Sequence, residues 1–447
     1  MRGLMIKLEE LSKDLKHWSY NNYGNLFQAF ERSEKDLLAA ENLFASDPSP
    51  DNLSSLNLQK AKHSKCINNI DSFWRQKANI KWIKEGEANT SFFHNYVKGK
   101  RKRLLINHIS KGDDNFLESQ EDIIADGLSF FKKAFYEEPT LTDSDLLQSI
   151  PVVISEEDNN MLTRLPNETE VKEAILALDP NSCAGWDGFN GFFFRSYWET
   201  IKEDVTSSCQ EYFLGIPPPK SICKTLITLI PKVDNASSWK NFRPISLSSF
   251  PSKIITKILA TRLTSLLPKI ISREQGAFQK GKEIKHHILL AKELINGIDE
   301  GKRGGNVIIK LDMSKAFDRV SWSYLEKVLC LFGFSRAAIS VLMRFTKKAY
   351  LSLLINGTQS KFFSPSRGLK QGDPLSPLLF NIASEGFSRS INHLYCVKGL
   401  EPYTMGRNFQ NIHHLSYADD LLLFTNAAIP NLIKLRKYLN DYGKVSG

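Results

Sequence analysis

Two adjacent carboxylates in an apolar setting are the first residues able to do chemistry: His413-His414-Leu415-Ser416-Tyr417-Ala418-Asp419-Asp420-Leu421-Leu422-Leu423-Phe424. Short β-prone runs flank Asp419 and Asp420, the pattern of a tight hairpin with both acids at its tip. Neighbouring side chains on a regular strand face opposite sides, so only a turn lets the two converge. Converging carboxylates repel unless a cation lies between them. Asp is also a common turn residue, and Asp113-Asp114 in Ser110-Lys111-Gly112-Asp113-Asp114-Asn115 reads as a turn alone. A partner separates the two pairs. Asp312, 107 positions before Asp419, ends the run Asn306-Val307-Ile308-Ile309-Lys310-Leu311-Asp312, which reads as a buried strand. Three acids from two strands suit Mg²⁺. This ion prefers oxygen ligands and binds through one or two carboxylates plus substrate phosphates. In pairs about 3.5–4 Å apart it steadies the attacking and leaving oxygens of a phosphoryl transfer.

Tyr417-Ala418-Asp419-Asp420 and Leu311-Asp312-Met313-Ser314-Lys315-Ala316-Phe317-Asp318 resemble the two catalytic motifs of reverse transcriptases, in the form carried by plant LINE-type (non-LTR) retrotransposons. The resemblance implies DNA synthesis on an RNA template. A DNA primer 3′-hydroxyl attacks the α-phosphate of a deoxynucleoside triphosphate and pyrophosphate leaves. Two Mg²⁺ ions, with Mn²⁺ as a substitute, are held by Asp312, Asp419 and Asp420. It also implies that Phe317 is an aromatic gate against the 2′-hydroxyl.

Further motifs follow the same family order. Ile227-Thr228-Leu229-Ile230-Pro231-Lys232 and Asn241-Phe242-Arg243-Pro244-Ile245-Ser246-Leu247 read as two strands, each bearing a cation. Arg243 offers a bidentate fork and Lys232 a point charge, and the family's matching positions contact the incoming nucleotide. In Ser366-Arg367-Gly368-Leu369-Lys370-Gln371-Gly372-Asp373-Pro374, Gly372 permits close backbone approach to the nucleotide and Gln371 can hydrogen-bond its sugar or base. Asp373 is expected to cap, and Pro374 to open, a helix reaching about His393. Departures from the family occur at Trp186, where proline is usual, at Lys282, where arginine is usual, and at His286, where an acid is usual. His286 and His287 are adjacent and on a helix do not share a face, so they read as non-ligands.

The elements that must position these residues fill a basic chain of 447 residues and formal charge +10, with 42% hydrophobic and 24% charged residues. That balance indicates neither disorder nor membrane residence and favours an acidic partner, most often nucleic acid. Residues 1–70 read as a packed helical hairpin. Residues 71–140 form a basic aromatic connector: Ser72 to Lys111 holds ten Lys/Arg against two Glu. Lys98, Lys100, Arg101, Lys102 and Arg103 are its candidate phosphate contacts, with interleaved Trp and Phe expected to stack on bases. This string resembles the family's link between endonuclease and polymerase. Lys100 to Arg103 also fit a nuclear-import pattern, which points to an intracellular, nuclear protein. Residues 141–214 read as a helical pre-polymerase region, opening on an acidic irregular stretch and a capped helix from Asn167. Residues 215–447 read as fingers and palm.

The six cysteines have no CxxC spacing and read as reduced and mostly buried. The expected fold is α+β, a right-hand polymerase fingers and palm with an antiparallel palm sheet backed by helices. The chain ends at Gly447, 27 residues after Asp420, where the family continues into a thumb. The rival readings are an RNA-dependent RNA polymerase, a group II intron-type maturase, and an inactive element fragment that only binds nucleic acid.

Overall fold

A computed structural model describes residues 1–78, 90–112, 115–137, 145–279, 281–300, 304–397, 399–405 and 412–446, with backbone alone at 90–93 and 300. Asp113-Asp114 and the connector run 79–89 lie outside the described residues. The chain forms two compact units: residues 6–114 with 231–242, and residues 1–5, 115–230 and 243–447.

In the first unit the helices Leu26–Ser46 and Pro50–Ala78 pack as a hairpin. Asn25 caps the first by accepting the Phe27 and Gln28 N–H groups at 3.0 and 3.4 Å, satisfying donors with no partner inside the helix. Pro50 opens the second, where its missing N–H costs nothing. His63 lies 3.0 Å from the Ser33 hydroxyl and 5.2 Å from the Phe30 ring. Phe27 meets Phe73 and Trp74, both at 5.8 Å, and Trp74 also packs on His94 at 4.6 Å and near the buried Val97. Phe73 and Trp74 therefore serve internal packing rather than the base stacking expected of them.

The second unit holds most of the strands. The strands in chain order are the two-residue β1 (Ile109–Ser110), which belongs to the first unit, then β2 (Phe116–Leu117), β3 (Lys224–Pro231), β4 (Phe242–Ser248), β5 (Asn306–Asp312), β6 (Tyr350–Ile355), β7 (Thr358–Gln359), β8 (His414–Tyr417) and β9 (Asp420–Asn426). One sheet has the order β4-β3-β6-β7, with β3 and β6 parallel. The other is antiparallel, β5-β9-β8. One face of the antiparallel sheet presents Ile309, Leu311, Leu421 and Leu423 to Phe387 and Ile391 of the helix Ser376–Val397 and to Leu435 and Tyr438 of Ile429–Ser446. Its other face presents Ile308, Leu415, Leu422 and Phe424 to Leu290 and Leu294 of Ile284–Asn296. This is the period of two along a strand written in side chains.

β5 is half-buried rather than buried, because it is an edge strand paired on one side only. The helix Glu168–Ala177 starts where its cap requires, with Asn167 accepting the Glu170 N–H at 2.8 Å. Arg262, in the almost wholly buried helix Phe250–Thr264, makes a bidentate pair with Glu170 at 2.7 Å in both arms and donates to the Leu162 and Arg164 carbonyls. Of the cysteines, all free, only Cys209 and Cys223 are buried; Cys183, Cys330 and Cys396 are exposed, contrary to the expected burial. They sit on outward helix and loop positions that the apolar pattern leaves open. No described helix is long and apolar enough to cross a membrane.

Candidate active site

The register of β5, β9 and β8 assembles the acids. Asn306 lies opposite Asn426, and the pairing runs without a slip to Asp312 opposite Asp420, while Tyr417 faces Asp420 from β8. Directly opposed residues stand about 4.5–5.5 Å apart at Cβ, so Asp312 and Asp420 share one face at one end of the sheet. Asp419 follows Ala418 in the two-residue turn between β8 and β9. Ala418 is left-handed, φ +56°, a conformation that costs a residue with a Cβ about 1–2 kcal/mol. All three acids are exposed. Lys310, two residues before Asp312, reaches diagonally across the pair, its Nζ 3.8 Å from Asp420 Oδ1, with both side chains about 70% exposed. Among the described residues no group of three or more His, Cys, Asp or Glu side chains is placed to hold a metal ion by itself. The donor set nevertheless fits a hard divalent ion that takes one or two carboxylates and completes its shell with substrate phosphates.

A residue that sequence reasoning left out of the site holds the turn. The Gln275 side chain, 1% exposed, accepts the Ala418 N–H at 3.1 Å and the Ala277 N–H at 2.9 Å through Oε1, and donates to the Ala418 carbonyl at 3.4 Å through Nε2. Two N–H groups on one atom identify that atom as the oxygen. Its backbone lies beside β8: the Ser416 N–H donates to the Glu274 carbonyl at 2.8 Å and the Gly276 N–H to the Ser416 carbonyl at 2.9 Å. Glu385 anchors the start of this segment, accepting the Ser272 N–H and hydroxyl at 3.0 and 2.9 Å. Burial pushes the Glu385 carboxyl up to about 7, against the Ser272 hydrogen bonds and the Arg389 guanidinium 3.3 Å away. Lys282, the departure from arginine, staples the segment by donating to the Ser272 and Gln275 carbonyls at 3.2 and 2.9 Å. His287 lies 3.1 Å from the Glu274 carbonyl while His286 is exposed. His414, fully buried in β8, lies 2.8 Å from the Ser388 hydroxyl, and burial lowers its imidazole to about 4.

A second group of predicted residues lines up along β4 and the loop 366–373. The Leu369 N–H donates to the Phe317 carbonyl at 2.7 Å and the Ser246 N–H to the Gln371 carbonyl at 2.8 Å, so Gln371 and Gly372 lie beside the strand that carries Arg243, and Phe317 beside the same loop at Leu369. Arg243 is exposed, Gln371 and Phe317 half-buried, and one face of the Phe317 ring stacks on Phe380 at 4.6 Å. Gly372 has φ +102°, and a Cβ there would stand 3.3 Å from the Ser246 carbonyl; glycine meets both demands. The following helix starts at Ser376 and ends at Val397, not at Pro374 and His393. A helix opened at Pro374 would require Pro377 to donate to the Asp373 carbonyl, and proline has no N–H. Asp373 instead accepts the Leu375 N–H at 2.9 Å and Ser376 takes up its carbonyl.

Residues 230–447 match the family described as reverse transcriptase (RNA-dependent DNA polymerase). That stretch is a reverse transcriptase domain. Proteins of transposons and retrotransposable elements are among the curated relatives it matches. The chain is 28% identical over 341 residues, 75% of its length, to the transposon TX1 uncharacterized 149 kDa protein of Xenopus laevis. It is 30% identical over 231 residues, 49% of its length, to the Pol polyprotein of the type-1 retrotransposable element R2 of Popillia japonica. A 71-residue segment, 16% of the chain, is 41% identical to an uncharacterized mitochondrial protein of Arabidopsis thaliana, of which it covers 58%. The chain spans 25% of the Xenopus protein and 31% of the Popillia one.

The reverse transcriptase domain is α+β, with the antiparallel three-stranded sheet and its helices in the palm. Lys232 is exposed, one residue beyond β3, its N–H donating to the Asn241 carbonyl at 2.7 Å. Ahead of the domain, Trp186 is accommodated rather than disruptive: its indole N–H donates to the Ser221 carbonyl at 2.9 Å, and Lys224 covers its ring at 4.3 Å. Gly185 beside it leaves no room for a Cβ, which would fall 2.7 Å from the Ser248 carbonyl. Lys98, Lys100, Arg101, Lys102 and Arg103 are all exposed on the helix Thr90–Leu104.

Proposed function

We propose that the chain carries out RNA-directed DNA synthesis for a non-LTR retrotransposon of plant type, using an RNA template, a DNA primer and deoxynucleoside triphosphates. The observation that carries this reading is the register of Asp312 against Asp420 with Asp419 in the adjoining turn. Mg²⁺, or Mn²⁺ in its stead, supplies when bound the positive charge that steadies the attacking and leaving oxygens. Asp312, Asp419 and Asp420 hold that charge at the end of the sheet. Arg243 meets the triphosphate, Gly372 brings backbone close to the nucleotide, Gln371 reads its sugar or base, and Phe317 closes the space a 2′-hydroxyl needs. The exposed basic run from Lys98 to Arg103 grips RNA phosphates, and its Lys100–Arg103 part supports a nuclear destination. The Arabidopsis match supports the plant assignment.

Primer extension on an RNA template with the purified chain tests this. Asp312→Asn or Asp419→Asn should lose extension by about 10³-fold or more, the equivalent of about 4 kcal/mol of transition-state stabilisation. Extension retained at the parent rate in either variant overturns the metal assignment. RNA affinity should fall with salt at a log–log slope of about −0.7 per phosphate contacted, and neutralising the five basic residues should flatten it by about two to four units.

A further inference from the structure

We infer that Gln275 is a positioning residue for catalysis: its side-chain amide clamps Ala418 in the left-handed conformation that sets Asp419 and Asp420 against Asp312. A two-residue turn between paired strands needs left-handed backbone, and the residue types that adopt it readily are Gly, Asn and Asp. Here alanine occupies that position, φ +56°, with no side chain able to support itself locally. The support comes from 143 residues away, where one amide engages both backbone polar groups of Ala418. Gln275 is itself immobilised. It is buried to 1% exposure, shares its oxygen with the Ala277 N–H, and stands on a segment bonded to β8 at Ser416 and fastened by Glu385 and Lys282. The clamp thus runs from the helix Ser376–Val397 through the segment 272–277 to the turn. Without it the turn relaxes toward backbone angles that alanine prefers, and the two acids leave the end of the sheet.

This inference rests on the proposed metal role of the acids, so its test separates the two. The variants are Gln275→Met, which keeps the buried volume and removes all three hydrogen bonds, and Gln275→Glu, which keeps the acceptor oxygen and puts a second carboxyl oxygen in place of the amide NH₂ that donates to the Ala418 carbonyl. Amide hydrogen exchange at Ala418, read without metal or substrate, should quicken by tenfold or more in Gln275→Met and by less in Gln275→Glu, with Leu423 protection unchanged as the control for folding. In primer extension Gln275→Met should lower kcat by tenfold or more while KM for the deoxynucleotide moves by less than about threefold. Ala418→Gly placed on Gln275→Met should recover at least threefold of the loss, since glycine adopts positive φ without strain. A merely structural glutamine predicts no such recovery. Unchanged exchange at Ala418, or a double variant no better than Gln275→Met, overturns the clamp. Calorimetric Mn²⁺ binding that survives Asp312→Asn would instead overturn the metal reading, while the exchange measurement still decides the clamp.

Discussion

The diagonal ion pair between Lys310 and Asp420 makes a quantitative test of the acid cluster. An ammonium on a metal-holding carboxylate competes with the metal, so removing it should tighten divalent binding. At 3.8 Å the Coulomb attraction in water is about 1 kcal/mol. With both side chains about 70% exposed, the net value falls in the range of exposed pairs, ~0.2–1 kcal/mol. Lys310→Gln should therefore tighten Mn²⁺ binding by about 1.4- to fivefold at low ionic strength. The gain should shrink toward zero in ~1 M salt, where the screening length is about 3 Å. Lys310→Glu, which adds a fourth carboxylate to the same face, should go further in the same direction. Counting free Mn²⁺ by electron paramagnetic resonance during a titration of the substrate-free protein measures this. The side chain at 310 lies on the solvent side of an edge strand, so folding is not at stake. Weaker Mn²⁺ binding in Lys310→Gln, or a change beyond tenfold, would refute the reasoning: the first means that Asp420 is not in the site, the second that the pair is desolvated in a way its exposure denies.

Replacing Phe317 by Val should admit ribonucleotides by about tenfold or more, a change of about 1.4 kcal/mol, with a smaller fall in deoxynucleotide incorporation. An unchanged sugar preference means that the ring serves only its stack on Phe380. Glu170→Ala strands the 3%-exposed Arg262 guanidinium and should cost about 3–5 kcal/mol in urea unfolding; a loss under ~1 kcal/mol removes that pair from the fold's essential contacts. Glu385 titrates near 7 in the folded chain against 4.5 ordinarily. The stability this proton contributes is complete below pH 4.5 and lost as pH rises through 7, about 3 kcal/mol in all. Glu385→Gln should then be more stable than the parent by about 1–3 kcal/mol at pH 8, with the difference fading toward pH 4.5. His414 works oppositely, its contribution lost as pH falls from 6.5 through about 4. Both proteins share it, so the difference between their unfolding curves isolates Glu385. A difference that does not vary with pH rejects the assignment.

Local order was legible in the residues themselves. The β-prone runs on either side of Asp419-Asp420 specify a hairpin, Asn167 caps its helix, and glycine at 372 answers a positive φ and a close carbonyl. Each depends on neighbours within a few positions, where propensity and period act. The same reach marks where residues alone mislead: Pro377 bars the helix that Pro374 would open three residues earlier, and Phe73 and Trp74 find their partners, Phe27 and His94, on other helices. Tertiary structure alone decided three things. It set the register of Asp312 against Asp420, which a one-residue slip would abolish by turning every side chain to the other face, and which is fixed by apolar packing on both faces of the sheet. It joined residues 231–242 to 6–114 in one compact unit. And it brought Gln275 to Ala418 across 143 residues, because a buried amide finds its partners by where packing leaves unpaired backbone, which no spacing in the chain records.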